Sequence, residues 1–341
     1  MLLGRRNKLG DILLALHRRV YAKFWWRYPW LFQSPRAPQF VHLELTNDCN
    51  LACPHCARNF ENREIGYMDV HLFERIVEEI SSYPSCFLRI GGLGEPAMHP
   101  HVKEMLDYLA DTHLKIEFTT NGKLLMIFHP EEILKWRIDV LGISIDGFDE
   151  ASYSRHRPNG DYNALRAKII ELFNARSKMR AKFPKIRIRN VVFPFTTPEQ
   201  IRTFTEYWLP FADIVTFNTL ISKGKFATAQ TFERCDEILF TINIRWDGRV
   251  PICGYQLWCG DVEWLGDLDD HTLRDLWCSE RLLEVRKHHA AGDFKGIEFC
   301  KRCFFTQRKK NILETNEKHD RHRNSVLSRI NRFAIGIEAR L

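Results

Sequence analysis

Between His42 and Thr219, short apolar runs alternate with longer segments whose apolar residues recur at helical spacing. That alternation restricts this part of the chain to an α/β fold, a parallel sheet covered by helices. Six strands are read: Val41 to Thr46, Phe87 to Gly91, Lys115 to Thr120, Val140 to Ile145, Ile186 to Phe193 and Ile214 to Thr219. Val70 to Ile80, Val102 to Ala110 and Tyr162 to Arg176 carry the periodicity of helices between them. No internal repeat interrupts the series.

A different texture begins near Cys235. Phe240, Ile242, Ile244 and Trp246 alternate with Thr241, Asn243 and Arg245, then Asp247-Gly248 is followed by Val250-Pro251-Ile252. Alternation closed by Asp-Gly predicts a β-hairpin and, with it, the start of a second module. Thr272 to Ala291 reads as helical and leads into Cys300-Lys301-Arg302-Cys303. With 341 residues and 45% apolar content, the chain has material for more than one domain.

Charge and cysteine usage narrow the function classes. The net charge of +7 is concentrated at the ends: residues 1–39 hold eight basic side chains against Asp11 alone, and 305–341 hold nine against four acidic ones. The body between is therefore acidic, whereas a nucleic-acid enzyme concentrates basic charge where phosphates must be neutralised, so no nucleic-acid partner is expected. No secretory signal and no run of ~20 apolar residues is found. Ten cysteines without an export signal suit metal ligation in a reducing, cytoplasmic setting.

The chemistry starts from Thr46-Asn47-Asp48-Cys49-Asn50-Leu51-Ala52-Cys53-Pro54-His55-Cys56, directly after the first strand. Three thiolates at this spacing can wrap a loop around one face of a four-iron four-sulfur cluster and leave the fourth iron open. Zinc is the competing reading, but structural zinc prefers four protein ligands and paired CxxC spacing. The position of His55 inside the loop fits a cofactor contact better than ligation.

These residues resemble the radical S-adenosylmethionine (SAM) superfamily, whose CxxxCxxC loop follows the first strand with an aromatic residue before the third cysteine. Gly91-Gly92-Leu93-Gly94-Glu95-Pro96 looks like the glycine-rich motif of that family, where backbone groups and the Glu95 region contact the methionine amine. Asn121 after the third strand, and Ser144 and Asp146 after the fourth, match further cofactor-facing positions; Arg157 is the implied carboxylate partner. The resemblance covers about residues 40 to 304. It implies a partial (β/α)6 TIM-like barrel with the site at the C-terminal ends of the strands. It also implies SAM as cofactor and a one-electron donor such as flavodoxin or ferredoxin.

Cys235, Cys253, Cys300 and Cys303 form a second constellation, with Gly248 placed as in the start of the family's SPASM extension. The positions of two further cysteines of the full extension are Lys309 and Leu313, so the likeness is to the shortened "twitch" type with one auxiliary four-iron cluster. Structural zinc on the same thiolates is the bland competitor. Cys259 lies in an irregular stretch beside Cys253 and is the candidate hydrogen donor, should the substrate radical need quenching. Cys86 and Cys278 read as packing residues.

The domain reading is a basic amphipathic segment over 1–39, a barrel over 40–230, a small hairpin-plus-helix auxiliary domain over 231–304, and a basic amphipathic tail over 305–341. Leu9, Ile12, Leu13, Leu16, Val20 and Phe24 share one helical face, a pattern that most often faces a core. With flanking aromatics and arginines it also keeps peripheral contact with the inner face of a membrane, or a lipid-linked substrate, open. Three reactions fit: oxidation of a small polar or carbohydrate-like molecule with the auxiliary cluster as electron acceptor; redox-neutral epimerisation or rearrangement; and maturation of a ribosomal peptide.

Overall fold

Seven parallel strands make one sheet in the order β6-β5-β4-β3-β2-β1-β7: β1 (Phe40–Leu43), β2 (Phe87–Ile90), β3 (Lys115–Thr120), β4 (Val140–Ser144), β5 (Lys185–Val192), β6 (Ile214–Thr219) and β7 (Thr241–Ile244). The computed structural model describes residues 37–60, 64–83, 85–220, 234–259, 262–301 and 303, with 20, 22, 24 and 26 near the N-terminus. The chain divides into two units, one from Arg36–Lys225 with Phe240–Leu282, the other from the terminal segments with Phe226–Leu239.

The larger unit holds the sheet, and the two faces of the sheet differ because side chains alternate along each strand. Val41, Leu43, Leu88, Ile116, Phe118 and Leu141 are buried on the outer face. There they meet the apolar sides of helices such as Val70–Ser81, which buries Leu72, Phe73, Ile76, Val77 and Ile80. Its start is fixed by Asp69, which accepts from the backbone N–H groups of His71 and Leu72. Pro198–Trp208 begins with a capping box, in which Thr197 and Gln200 satisfy each other's backbone N–H and Pro198 occupies the first turn.

The sheet is the expected α/β partial barrel, but it has a seventh strand. The Asp247-Gly248 turn forms, with Gly248 N–H donating to Arg245 O at 3.0 Å and Arg245 N–H to Arg249 O at 3.0 Å. Its flanking strands nonetheless do not form a ladder with each other. β7 pairs in parallel with β1, and β8 (Arg249–Pro251) pairs antiparallel with β9 (Trp264–Asp267). Local alternation marks a strand; it does not choose the partner, and the unpaired edge of β1 takes this one. The small antiparallel pair of the C-terminal region is thus β8 with β9.

The smaller unit centres on the latter part of the helix Glu280–Ala291, where Val285, Arg286 and His289 are fully buried. Arg286 Nε donates to Ile238 O at 2.9 Å, and Trp26 Nε1 donates to Asp236 at 2.8 Å. The amphipathic readings over 1–39 and 305–341 fall mostly or wholly outside the described residues. Among the described residues no helix is long and apolar enough to cross a membrane.

The inner face of the sheet is charged. Register aligns His42, Arg89 and Glu117 in one row, Thr119, Gly142 and Arg187 in the next, and Ser144, Arg189 and Thr216 above them. Glu117 binds Arg187 Nη1 at 2.5 Å and lies 3.4 Å from Arg89 Nε. Burial pushes the Glu117 carboxyl up, but Arg187 and then Arg89 override it and hold it below the usual carboxylate range. His42 is driven down to about 3 by burial and by Arg89, so it is neutral. Glu117→Ala should therefore cost about 3–5 kcal/mol in urea denaturation, because it strands the buried Arg187 guanidinium.

Candidate functional site

The cysteine loop leaves β1 without regular structure, and side chains replace the missing backbone ladder. Thr46 bridges to Tyr67, and its Oγ1 donates to Gly66 O at 2.6 Å. Asn47 donates to Glu64 O at 2.7 Å and accepts from Gly66 N–H at 2.9 Å. Asp48 accepts from Cys49 N–H at 2.8 Å and from the Tyr67 hydroxyl at 2.8 Å. Arg58 then gathers the carbonyls of Asn47, Cys49 and Leu51 at 3.5, 3.4 and 3.2 Å. Cys56 N–H closes a turn onto Cys53 O at 3.1 Å, so all three thiols sit on a fixed scaffold.

The glycine-rich segment after β2 packs directly on that loop. A Cβ at Gly94 would lie 2.2 Å from Thr46 O and 2.6 Å from Asp48 O, so only glycine permits this approach. Gly92 is similarly close to the Glu44 side chain, at 2.8 Å, while Gly91 has ordinary contact with Thr119. Glu95, 2% exposed, turns its carboxyl inward: it accepts from Ala97 N–H, the Thr120 hydroxyl and Asn121 N–H at 3.2, 2.7 and 2.5 Å. Burial pushes it up to about 7 despite those donors. Its side chain joins the β2 and β3 loops, and its backbone N–H donates to Asp48 O at 2.7 Å. Asn121 extends the chain of contacts, with Nδ2 3.5 Å from Cys49 Sγ and 3.0 Å from Asn50 Oδ1.

Asp146, 1% exposed, ties the other side of the site together. Its Oδ2 accepts from Arg157 at 2.6 and 2.9 Å and meets His55 Nε2 at 3.0 Å, while Oδ1 accepts from Val191 N–H at 2.9 Å. Burial opposes the charge, yet Arg157 and His55 pull the Asp146 carboxyl down to about 2. Arg157, expected as a carboxylate partner, is balanced by Asp146. Ser144 is the last residue of β4, half-buried and in register with Arg189.

The thiols suit a cluster. Burial raises Cys49 and pushes Cys53 up to about 11, even with Arg157 near, so thiolates here need a bound cation to compensate their charge. They are not drawn onto one point: among the described residues no three His, Cys, Asp or Glu side chains form a single-ion site. In a four-iron cluster each thiolate takes its own iron.

In the smaller unit, Cys235, Cys300 and Cys303 come together. Cys303 N–H donates to Cys300 O at 3.2 Å, and burial, then Glu237, pushes the Cys235 thiol up to about 12, with Cys303 adding to the rise. Cys253 follows β8 in the larger unit, and Cys259 ends the short helix Gln256–Cys259, its side chain outside the described set. Sequence reading missed Arg58, Gly94 as the tight contact, and His289. Only Gly94 carried a signal, its place in the glycine-rich run.

A cysteine loop at the C-terminal end of the first strand of a parallel α/β sheet, braced by loops from β2, β3 and β4, defines an iron-sulfur enzyme of the barrel class. The chain matches the radical SAM superfamily model over residues 43–208 and an iron-sulfur cluster-binding domain, SPASM, over residues 235–304. It belongs to the radical SAM superfamily, and its cofactors are SAM and four-iron four-sulfur clusters, with a SPASM domain for auxiliary iron-sulfur binding. One relative is the tungsten-containing aldehyde ferredoxin oxidoreductase cofactor-modifying protein of Pyrococcus furiosus, 25% identical over 295 residues, 71% of this chain and 82% of that protein. Another is the mycofactocin maturase MftC of Mycobacterium ulcerans, 36% identical over 160 residues, 46% of this chain and 42% of the maturase. The chain thus spans less than half of the maturase it matches. In fold it is similar to Streptococcus suis SuiB bound to precursor peptide SuiA, with TM-score 0.62 and 15% identity over 74% of this chain and 67% of that one.

Asp146→Asn should lower stability by about 2–3 kcal/mol at pH 7, read by urea denaturation. Because the folded carboxyl is held near 2, its contribution is present above the ordinary carboxylate value and is lost as pH falls through about 2. The gap between variant and wild type should therefore narrow progressively below about pH 4.

Proposed function

We propose that this radical SAM enzyme abstracts a hydrogen atom from a small polar, carbohydrate-like substrate and completes its oxidation by passing an electron to an auxiliary cluster. The observation that carries the reading is the inner face of the sheet, where Arg89, Glu117, Thr119, Arg187 and Arg189 offer hydrogen bonds and charge instead of an apolar lining. Polar groups in that position favour a substrate rich in hydroxyl or ionic groups.

In this reading Cys49, Cys53 and Cys56 hold the catalytic cluster, and Cys235, Cys253, Cys300 and Cys303 hold one auxiliary cluster. His55, Gly91, Gly92, Glu95, Asn121, Ser144, Asp146 and Arg157 shape the SAM pocket. SAM bound there supplies, on one-electron reduction, a 5'-deoxyadenosyl radical that takes a hydrogen atom from a substrate C–H. The chain's part is to position and shield. Asp146 stays ionised and orients His55 and Arg157; Glu95 and Asn121 fix the loops around the cysteines. A cluster held by Cys235, Cys253, Cys300 and Cys303 would supply the acceptor for the second electron that a two-electron oxidation must remove.

Peptide or cofactor maturation is the second reading, favoured by the names of the relatives: a mycofactocin maturase and a cofactor-modifying protein. The same inner face would then receive a polar peptide side chain. Anaerobically reconstituted protein should hold about two four-iron clusters per chain and release 5'-deoxyadenosine when given reductant and SAM. Cys53→Ala should keep the auxiliary iron and release none; release at the wild-type rate would remove the ligand assignment.

A further inference from the structure

The geometry points to His289 as a hydrogen-bond donor to the sulfur of Cys300 that raises the reduction potential of the auxiliary cluster, an inference resting on the reading of Cys300 as a ligand of that cluster. His289 is completely buried near the end of the helix Glu280–Ala291. Its ring packs edge-on to Phe294, with centroids 4.8 Å apart, and lies 6.1 Å from the Trp26 ring. Nδ1 faces the backbone N–H of Cys235 at 3.2 Å, and Nε2 lies 3.2 Å from Cys300 Sγ.

The direction of the second bond follows from the first. A backbone amide can only donate, so Nδ1 must accept; a neutral imidazole carries one N–H, which is then on Nε2 and points at the sulfur. The ring cannot readily turn away. Arg234 donates to Ala290 O at 2.8 Å and Arg286 to Ile238 O at 2.9 Å, strapping the segment that bears Cys235 against the helix that bears His289. One ring therefore holds the backbone of one proposed ligand and the sulfur of another.

Donors to cluster sulfurs withdraw electron density from the thiolate and stabilise the reduced state, which moves the potential upward. An upward shift is the direction an electron acceptor needs. A histidine that only filled space would leave the potential unchanged when replaced by a group of suitable size.

The test uses the full chain carrying Cys49→Ala, Cys53→Ala and Cys56→Ala, in which the auxiliary cluster is the one remaining. Midpoint potentials are measured by paramagnetic-resonance redox titration with His289 intact, with His289→Gln, which retains an N–H near the place of Nε2, and with His289→Leu, which does not. His289→Leu should titrate at lower potential, and His289→Gln close to the intact chain. Equal potentials in all three overturn the proposal, as does equal lowering in Gln and Leu. Should His289→Leu fail to retain iron, histidine labelled with 15N at the ε position decides. A hyperfine coupling present with His289 and absent in His289→Gln supports the bond, and no coupling with His289 overturns it. If the triple-alanine chain binds no iron at all, the ligand assignment fails and the proposal with it.

Discussion

The site depends on a carboxylate that is ionised where water does not reach it. Asp146 keeps its charge because Arg157, His55 and the Val191 amide surround it, and each of those partners belongs to a different segment. One side chain thereby fixes the cysteine loop, the segment after β4 and the end of β5 relative to one another. A buried ion pair contributes modestly to net stability when complete and is costly when broken, so its value here is geometric.

Glu95 solves the complementary problem with opposite electrostatics. It is as buried as Asp146 but meets amide and hydroxyl donors at hydrogen-bonding distance in place of a guanidinium, and burial accordingly pushes its carboxyl up where that of Asp146 is held down. The two carboxyls brace opposite sides of the cysteine loop through Asn121 and His55. Between them, Gly94 lets the β2 loop close on Thr46 and Asp48 with no side chain in the way.

Much of this was legible in the sequence, for physical reasons that also mark its limit. Alternating apolar residues located β1 to β6 within a few residues, because a buried sheet face enforces the pattern. The same signal found the strand 241–244 but assigned it to a hairpin, since the partner of a strand is decided by distant backbone edges and not by local sequence. Cys49, Cys53 and Cys56 stood out by spacing, and His55 and Asp146 by the resemblance to the family. The mutual pairing of Asp146 with His55 and Arg157 did not, because it depends on which loops converge. Arg58 and His289 carry no pattern at all: each acts through three-dimensional approach to carbonyls or sulfur from an otherwise ordinary helical or irregular position.

The charged inner face has its own structural cause. Gly142 puts no side chain on the inner face of β4, where a Cβ alone would already be in van der Waals contact with Arg189 Cδ and Thr119 Oγ1, each at 3.4 Å. The arginines of β5 can therefore lie across β4 and reach β3, Arg187 to Glu117 and Arg189 to Thr119. Glu117 in turn faces Arg89 on β2, and Arg89 stacks over Phe40 with 4.2 Å to the ring centroid. The polarity of the inner face is thus one connected network spanning β1 to β5. A change at any member alters the desolvation and pairing of the others, so the charge of this face is a property of the network and not of a single residue.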